Sequence, residues 1–250
     1  MIYEGQENKL VEQLKLIEEQ APGPINTTNK LAILDLTLKN GEVNQENLAS
    51  VLQMADVAGI PYFSTVSLDE ALEAPFILVS SEIQQSSMTS SEVAQLKTWV
   101  NQGGILIAPF VNSVDLFDLF GIQSSDLNSN RYNLIWEDSS DFTELKWIDD
   151  PMEKTIPLAG SSSSKSIHTY GYTTTNAQKL ASYEDNSVAV SRNDYGLGKA
   201  YAFGMEWKDV ILRNLLDKDY SSQRSYSNDF EPTTDVFMLL LRAIYTENQA

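Results

Sequence analysis

Carboxylates, hydroxyls and a single imidazole carry most of the reactive chemistry open to this 250-residue chain. Cysteine is absent and His168 is the sole histidine, which removes thiolate nucleophiles, zinc–sulfur sites, the HExxH pattern and the three-histidine zinc centre. His168 lies in Ile167-His-Thr-Tyr-Gly-Tyr172, a strand-like run with aromatic alternation, and an imidazole suits a general base poised near neutral pH. A lone His with no nucleophile beside it is more often structural. Ser80 and Ser81 follow the apolar run Phe76-Ile-Leu-Val79, where a nucleophile could stand. No Gly-x-Ser-x-Gly elbow surrounds them, so they read first as turn or cap residues that bond the local backbone.

Asp35, Glu82 and Glu206 fall near expected strand ends, and converging carboxylates do acid–base work or hold a hard cation. With 35 acidic residues, some convergence arises by chance, and no Asp-x-Asp-x-Asp-Gly loop supports a site. No metal and no cofactor are expected. Gly196-Leu-Gly198-Lys199 leads into Ala200 and a strand rather than a helix, so it reads as a turn and not as a phosphate loop. Trp207, Arg224 and Tyr226, with Tyr220, suit stacking on a sugar or a partner surface. The competing reading is that Tyr220, Tyr226 and Phe230 pin a long connection to the core.

These groups need a scaffold, and hydrophobic periodicity supplies one. A leading amphipathic helix from about Glu7 to Gln20 ends at Ala21-Pro22-Gly23-Pro24. Leu31 to Leu36 is apolar on both faces, as a central parallel strand is. Leu48, Val51, Leu52, Ala55 and Ala58 keep helical spacing, and Gly59 closes that helix before Ile60 to Phe63. A short helix around Ser67 to Leu72, the strand Phe76 to Val79, a Thr89-Ser-Ser-Glu92 capping box, a helix through Val93, Leu96, Trp99 and Val100, Gly103-Gly104 and the strand Ile105 to Ala108 repeat the pattern. Alternation of this kind predicts a parallel sheet with ligands at its carboxyl ends, near Asp35, Ser64, Ser80 and Pro109. After Gly121 helical periodicity disappears. Leu180 to Glu184, Val188 to Arg192 and Ala200 to Gly204 predict a β-meander, and helices are predicted at Lys208 to Leu216 and Thr233 to Glu247 around a loop, Asp217 to Pro232.

Composition narrows the function classes. The chain is 42% hydrophobic and 21% charged, as a globular protein is. Seventeen basic against 35 acidic residues leave a net charge of −18, which disfavours nucleic acid and anionic membrane as partners. Apolar runs such as Val236 to Leu241 stop far short of the ~18 residues of a membrane span. Met1 leads into Glu4 and Glu7 without a charged-then-apolar leader, which fits either a cytoplasmic chain or one whose leader is removed.

Three features in order, the Phe76 to Ser81 strand, Trp99-Val-Asn-Gln-Gly-Gly104 before Ile105-Leu-Ile-Ala108, and Gly196-Leu-Gly198-Lys199 before Tyr201-Ala-Phe-Gly204, resemble the class I glutamine amidotransferase-like superfamily. The likeness is to its non-amidotransferase branches, the ThuA-like proteins and the trimerisation domain of some β-galactosidases, and covers roughly Lys30 to Trp207. Enzymes of that superfamily use a Cys on the elbow after the central strand, a late His, and a Glu two positions beyond it. Here the elbow reads Ala108-Pro109-Phe110-Val111-Asn112 and the late strand Phe203-Gly204-Met205-Glu206-Trp207. The Glu remains, whereas nucleophile and imidazole are missing. The stretch from Trp207 through Arg224-Ser-Tyr226 also looks like domains that precede polysaccharide-deacetylase-like modules in secreted bacterial proteins.

The resemblance implies a single α/β domain over 1–250: a leading helix and linker at 1–24, a core at 30–207, and C-terminal helices and a long loop at 208–250. The expected fold is flavodoxin-like, a mostly parallel sheet flanked by helices with an antiparallel meander in the C-terminal half. The expected function is a non-catalytic accessory or assembly domain of a carbohydrate-processing protein, secreted or periplasmic. Its partners would be a downstream catalytic domain or second subunit, facing the final helix, and carbohydrate. Ligand contacts would fall on Asp35, Ser80, Asn112, Trp207, Arg224 and Tyr226. The alternative is an atypical hydrolase using His168 or a carboxylate pair that includes Glu206, with Ser81 as a further catalytic candidate.

Overall fold

Four short apolar strands and the helices between them build one half of a mixed sheet. The computed structural model describes residues 29–41, 45–138, 142–145, 154–158, 167–209 and 232–248, with side chains from 237 onward in the last stretch. Strand β1 (Leu31–Leu34) leads to helix α1 (Glu46–Ala58), β2 (Tyr62–Thr65), the single-turn α2 (Leu68–Ala71), β3 (Phe76–Val79), α3 (Ser90–Asn101) and β4 (Ile105–Pro109). Gly59 closes α1 in the left-handed conformation at φ 68°, which glycine adopts without steric cost. Both bonds of the Thr89–Glu92 capping box are present at the start of α3, satisfying two of the amide donors that a helix start leaves open.

All four strands are buried on both faces except β2, which lies at the edge. Side chains alternate between two cores, as strand geometry requires. Leu31 and Ile33 point into a core shared with α1 and α4 (Pro232–Glu247), whereas Ala32 and Leu34 point into one shared with α2 and α3.

The second half of the chain is built from hairpins. It contains β5 (Ile122–Asn128), β6 (Asn133–Trp136), β7 (Thr155–Pro157), β8 (Thr169–Thr174), β9 (Gln178–Tyr183), β10 (Val188–Tyr195) and β11 (Gly198–Phe203). The strand order is β2-β1-β3-β4-β11-β10-β9-β6-β7, and a ribbon of β5 and β8 branches off β10. Strands β2, β1, β3, β4 and β11 run parallel. The remaining pairings are antiparallel.

The sheet is therefore mixed, and among the described residues antiparallel pairings outnumber parallel ones, which corrects the expectation of a mostly parallel sheet. The reason is local: parallel neighbours need long crossovers, and after Gly121 no helical segment is available to make them. The predicted meander forms as β9, β10 and β11, but it is no appendage, because β11 pairs with β4 in register from Lys199↔Ile105 to Phe203↔Pro109. The predicted helices at Glu7 to Gln20 and Lys208 to Leu216 lie wholly or almost wholly outside the described residues.

Helix α4 packs on the sheet. Phe237, Met238, Leu240, Leu241, Ile244 and Tyr245 are all buried, and they join the core formed with α1 and the sheet. These side chains are covered within the chain, whereas Tyr220, Tyr226 and the side chain of Val236, on which the expected interface also rests, lie outside the described residues. Nearby, Glu144 is almost wholly enclosed and accepts from Arg192 Nη1 at 2.5 Å and from Tyr201 Oη at 2.8 Å. Burial pushes the Glu144 carboxyl up, but the Arg192 and Tyr201 bonds outweigh it and hold it below the usual carboxylate range.

A carboxyl depressed in the folded state stabilises the protein above its unfolded value, near pH 4.3, and that stabilisation is lost as pH falls through the folded value. Thermal unfolding followed from neutral to acid pH should show this loss, and in Glu144→Gln it should be smaller from a lower starting point. Gly204 gives a second test. A Cβ there would stand 2.0 Å from the Tyr170 carbonyl oxygen and 2.6 Å from Tyr183 Oη, so Gly204→Ala should cost about 1–3 kcal/mol, read as a Tm lowered by about 2–4 °C per kcal/mol.

Candidate functional site

The chain leaves β1 in one direction to reach β2 and re-enters on the other side of β1 at β3. Crevices form at the carboxyl ends of strands where the winding reverses in this way. At this reversal the Oδ1 of Asp35 accepts from Thr37 N at 2.9 Å, Thr37 Oγ1 at 2.6 Å and Ser80 Oγ at 3.2 Å. Ser80 Oγ in turn accepts from Leu36 N. Thr37 and Ser80 are fully buried and Asp35 is 7% exposed. Ser80 thus ties β3 to β1, and Asp35 caps its own turn.

Ser81 Oγ accepts from Asn40 Nδ2 at 3.0 Å, and the same amide donates to the Glu82 carbonyl at 2.7 Å. Ser81 therefore pins the β1 loop to β3, and its hydroxyl partner is an amide and not a base.

The turn after β4 is where the resemblance places a nucleophile elbow. Phe110 has φ 48°, a conformation that is an outlier for a bulky side chain. Its N–H donates to the Phe203 carbonyl at 2.6 Å, and its ring lies 4.3 Å from that of Tyr170. In hydrolases with a nucleophile elbow, the N–H after the nucleophile helps to hold the oxyanion. Here that donor, Val111 N, is occupied by Tyr172 Oη at 2.9 Å, and the same hydroxyl donates to the Phe203 carbonyl at 3.2 Å. Burial pushes the Tyr172 phenol well above its ordinary value, so it stays protonated. Asn112 donates its N–H to the Ile83 carbonyl, and its Oδ1 accepts from Ser125 Oγ at 3.4 Å.

The remaining candidates lie apart. Glu206 accepts from Asn47 Nδ2 at 3.3 Å and pairs with Lys208 Nζ at 2.7 Å. Trp207 is 1% exposed; its Nε1 donates to the Val79 carbonyl at 2.9 Å and its ring packs on Phe203 and Phe237. It anchors the core and presents no open face for stacking. His168 is exposed, with Nδ1 2.9 Å from Ser129 Oγ. Among the described residues no three His, Asp or Glu side chains gather as a metal would require, so Asp35, Glu82 and Glu206 do not form the triple that their strand-end positions suggested. Arg224 and Tyr226 lie outside the described residues.

Sequence reasoning passed over Arg131. It is 2% exposed and clamps the β5–β8 ribbon from one side. It donates to the Asp126 and Thr169 carbonyls, pairs with Asp126 and Asp185, and lies over the Tyr183 ring at 5.1 Å. Gly171 lets it approach, since a Cβ there would stand 2.5 Å from Nη2. The strand-like run with aromatic alternation around His168 is β8, and it is Tyr172, not His168, that it carries to the elbow.

No protein-family model and no curated protein sequence matches the chain. Solved structures do. The chain shares its fold with a segment of a β-galactosidase. That protein is Gan42B, a GH42 β-galactosidase from G. stearothermophilus, at TM-score 0.50 and 17% identity over 70% of this chain and 27% of that one. A β-galactosidase from Bacillus circulans sp. alkalophilus aligns at 0.49 and 14% identity, over 78% of this chain and 32% of that one. Agd3, a carbohydrate deacetylase, aligns at 0.45 and 15%, over 70% and 29%. The chain thus spans a third or less of the length of each of these three.

Tyr172→Phe tests the closed elbow. It strands a buried Val111 N–H, which should cost about 1–3 kcal/mol in chemical denaturation, and it should create no esterase activity.

Proposed function

We propose that the chain is a non-catalytic accessory or assembly domain of a carbohydrate-processing protein, on a glutamine amidotransferase-like scaffold. The observation that carries this reading is the elbow: an apolar Phe110 in the strained position and Val111 N already bonded to a phenol. An acyl-transfer route needs a nucleophile, a base and a free oxyanion donor. The parallel order β2-β1-β3-β4-β11 supports a flavodoxin-like core within the mixed sheet, since that family winds 2-1-3-4-5. The proposed domain is single, 1–250, with its core at 30–207. Its carbohydrate context rests on the fold shared with part of a GH42 β-galactosidase. The smaller share of that longer chain supports a partner role beside a catalytic domain or second subunit. Among the described residues no helix is long and apolar enough to cross a membrane.

The test is turnover. Incubated with aryl esters, aryl β-galactosides and acetylated oligosaccharides, the purified chain should yield no product whose rate depends on its own side chains. A rate that drops about 10²–10⁴-fold in Ser81→Ala, His168→Ala or Glu206→Gln, the usual contribution of an acid–base residue, would overturn the reading in favour of an atypical hydrolase.

A further inference from the structure

Strand β2 ends the sheet on its side and has β1 as its single neighbour among the described residues. The Leu31 and Asp35 amides donate to the Pro61 and Thr65 carbonyls at 2.9 and 2.8 Å, so Pro61, Phe63 and Thr65 turn their backbone groups towards β1. Backbone groups alternate in direction along a parallel strand, which leaves the N–H and C=O of Tyr62 and Ser64 pointing out of the sheet edge. Ser64 is exposed and Val66, next in the outward series, is 58% exposed. No described element lies over this edge.

Proteins usually blunt such an edge with lysine, proline, a bulge or a covering segment. Strand β2 is short, but Tyr62-Phe-Ser-Thr65 holds neither Lys nor Pro, and its register with β1 runs unbroken from Leu31↔Tyr62 to Leu34↔Thr65. Unpaired donors and acceptors in this arrangement are a template for one more strand.

Charge identifies the strand that fits. Between Asn40 and Leu96 the sequence has eight acidic residues and no Lys, Arg or His. The cations that bound this stretch are engaged, Lys39 with Glu92 and Lys97 with Asp118. Of those that approach α1 from the rest of the chain, Lys208 pairs with Glu206 and Arg242 holds the Ala58 carbonyl. Lys30 stands before β1, at the end of the edge away from Glu70.

Carboxylates flank both faces of the edge. Tyr62, on the face of Leu31, donates to Asp56 Oδ1 of α1 at 3.0 Å, and Thr65, on the opposite face, donates to Glu70 Oε2 of α2 at 2.5 Å. Asp56 and Glu70 are exposed. A strand added beside β2 sends successive side chains to the two faces, so basic residues on it would meet Asp56 on one and Glu70 on the other. A second copy of β2 would instead set like charges against each other across the pair, which is destabilising.

We propose that the open edge of β2 takes up an extended, lysine- or arginine-bearing segment of a partner protein as an added strand. Tyr62 and Ser64 supply the backbone bonds, Asp56 and Glu70 the charge, and Val66 an apolar contact at the carboxyl end. This docking is independent of the accessory-domain reading, which stands on the elbow after β4.

The experiment titrates the isotopically labelled full chain, at low ionic strength, with a capped hexapeptide of lysine and valine that carries lysines on both faces of an extended strand. Two controls run beside it: the same peptide with glutamate for lysine, and the lysine peptide N-methylated at every amide. Saturable shifts should centre on Tyr62, Ser64 and Val66, and hydrogen exchange at the Tyr62 and Ser64 amides should slow. Both controls should be silent, and added salt should weaken binding. The double variant Asp56→Asn, Glu70→Gln should bind about threefold to tenfold more weakly, the worth of two exposed ion pairs. Ser64→Pro removes an outward N–H at a position where an edge strand tolerates proline, so its Tm should hold while binding is lost.

Absence of shifts with the lysine peptide overturns the proposal. So do equal shifts with either control, or shifts centred away from β2. Exchange at Tyr62 and Ser64 that slows with protein concentration in the peptide-free chain would give the edge to a second copy and overturn it as well. If Ser64→Pro fails to fold, the N-methylated peptide decides.

Discussion

The Phe203 carbonyl oxygen accepts two hydrogen bonds, from Phe110 N at the elbow and from the Tyr172 hydroxyl on the ribbon. A carbonyl has two lone pairs, and here both join elements far apart in sequence. Phe203 ends β11, the strand with a parallel neighbour on one side and an antiparallel one on the other. Just beyond it, Tyr170 N donates to the Gly204 carbonyl, and Gly204 N donates to the Ala189 carbonyl. The parallel half, the meander and the ribbon therefore meet at two consecutive peptide units. A Cβ at the second of them would press on the Tyr170 carbonyl. Candidate residues at the elbow hold their geometry only while this junction is closed.

What was legible in the sequence is what is decided within a few residues. The left-handed Gly59, the Thr89–Glu92 box and the apolar runs of β1, β3 and β4 depend on local φ, local bonds and two-sided burial, and each leaves a mark in composition. Strand β5 leaves none. Its sequence Ile-Gln-Ser-Ser-Asp-Leu-Asn carries two apolar residues and no alternation, and it is a strand because β8 supplies the ladder. That is a tertiary decision overriding propensity.

Arg131 was invisible for the same reason. An Arg is seldom fully buried unless paired, and its partners Thr169 and Asp185 stand 38 and 54 positions away. Trp207 shows the converse error. A tryptophan beside a polar loop reads as a stacking surface, whereas its indole N–H is spent on Val79 and its ring on Phe203 and Phe237. The expectation of a mostly parallel sheet left out β5 to β8, whose antiparallel pairings join segments distant in the chain, which periodicity does not report.

The turn after β4 is strained and closed at once. A positive φ on a bulky residue costs about 1–3 kcal/mol and persists only where the surroundings over-determine it. At Phe110 they do: β4 enters through Pro109, the N–H is held by Phe203, the next N–H by Tyr172, and the ring by Tyr170. A nucleophile would leave its side chain free and its neighbouring N–H open, and this arrangement closes both. The strain is thus held by packing that also removes the oxyanion donor, so replacing Phe110 with a nucleophilic side chain would not by itself recover a reactive centre, since the Tyr172 hydroxyl would still occupy Val111 N.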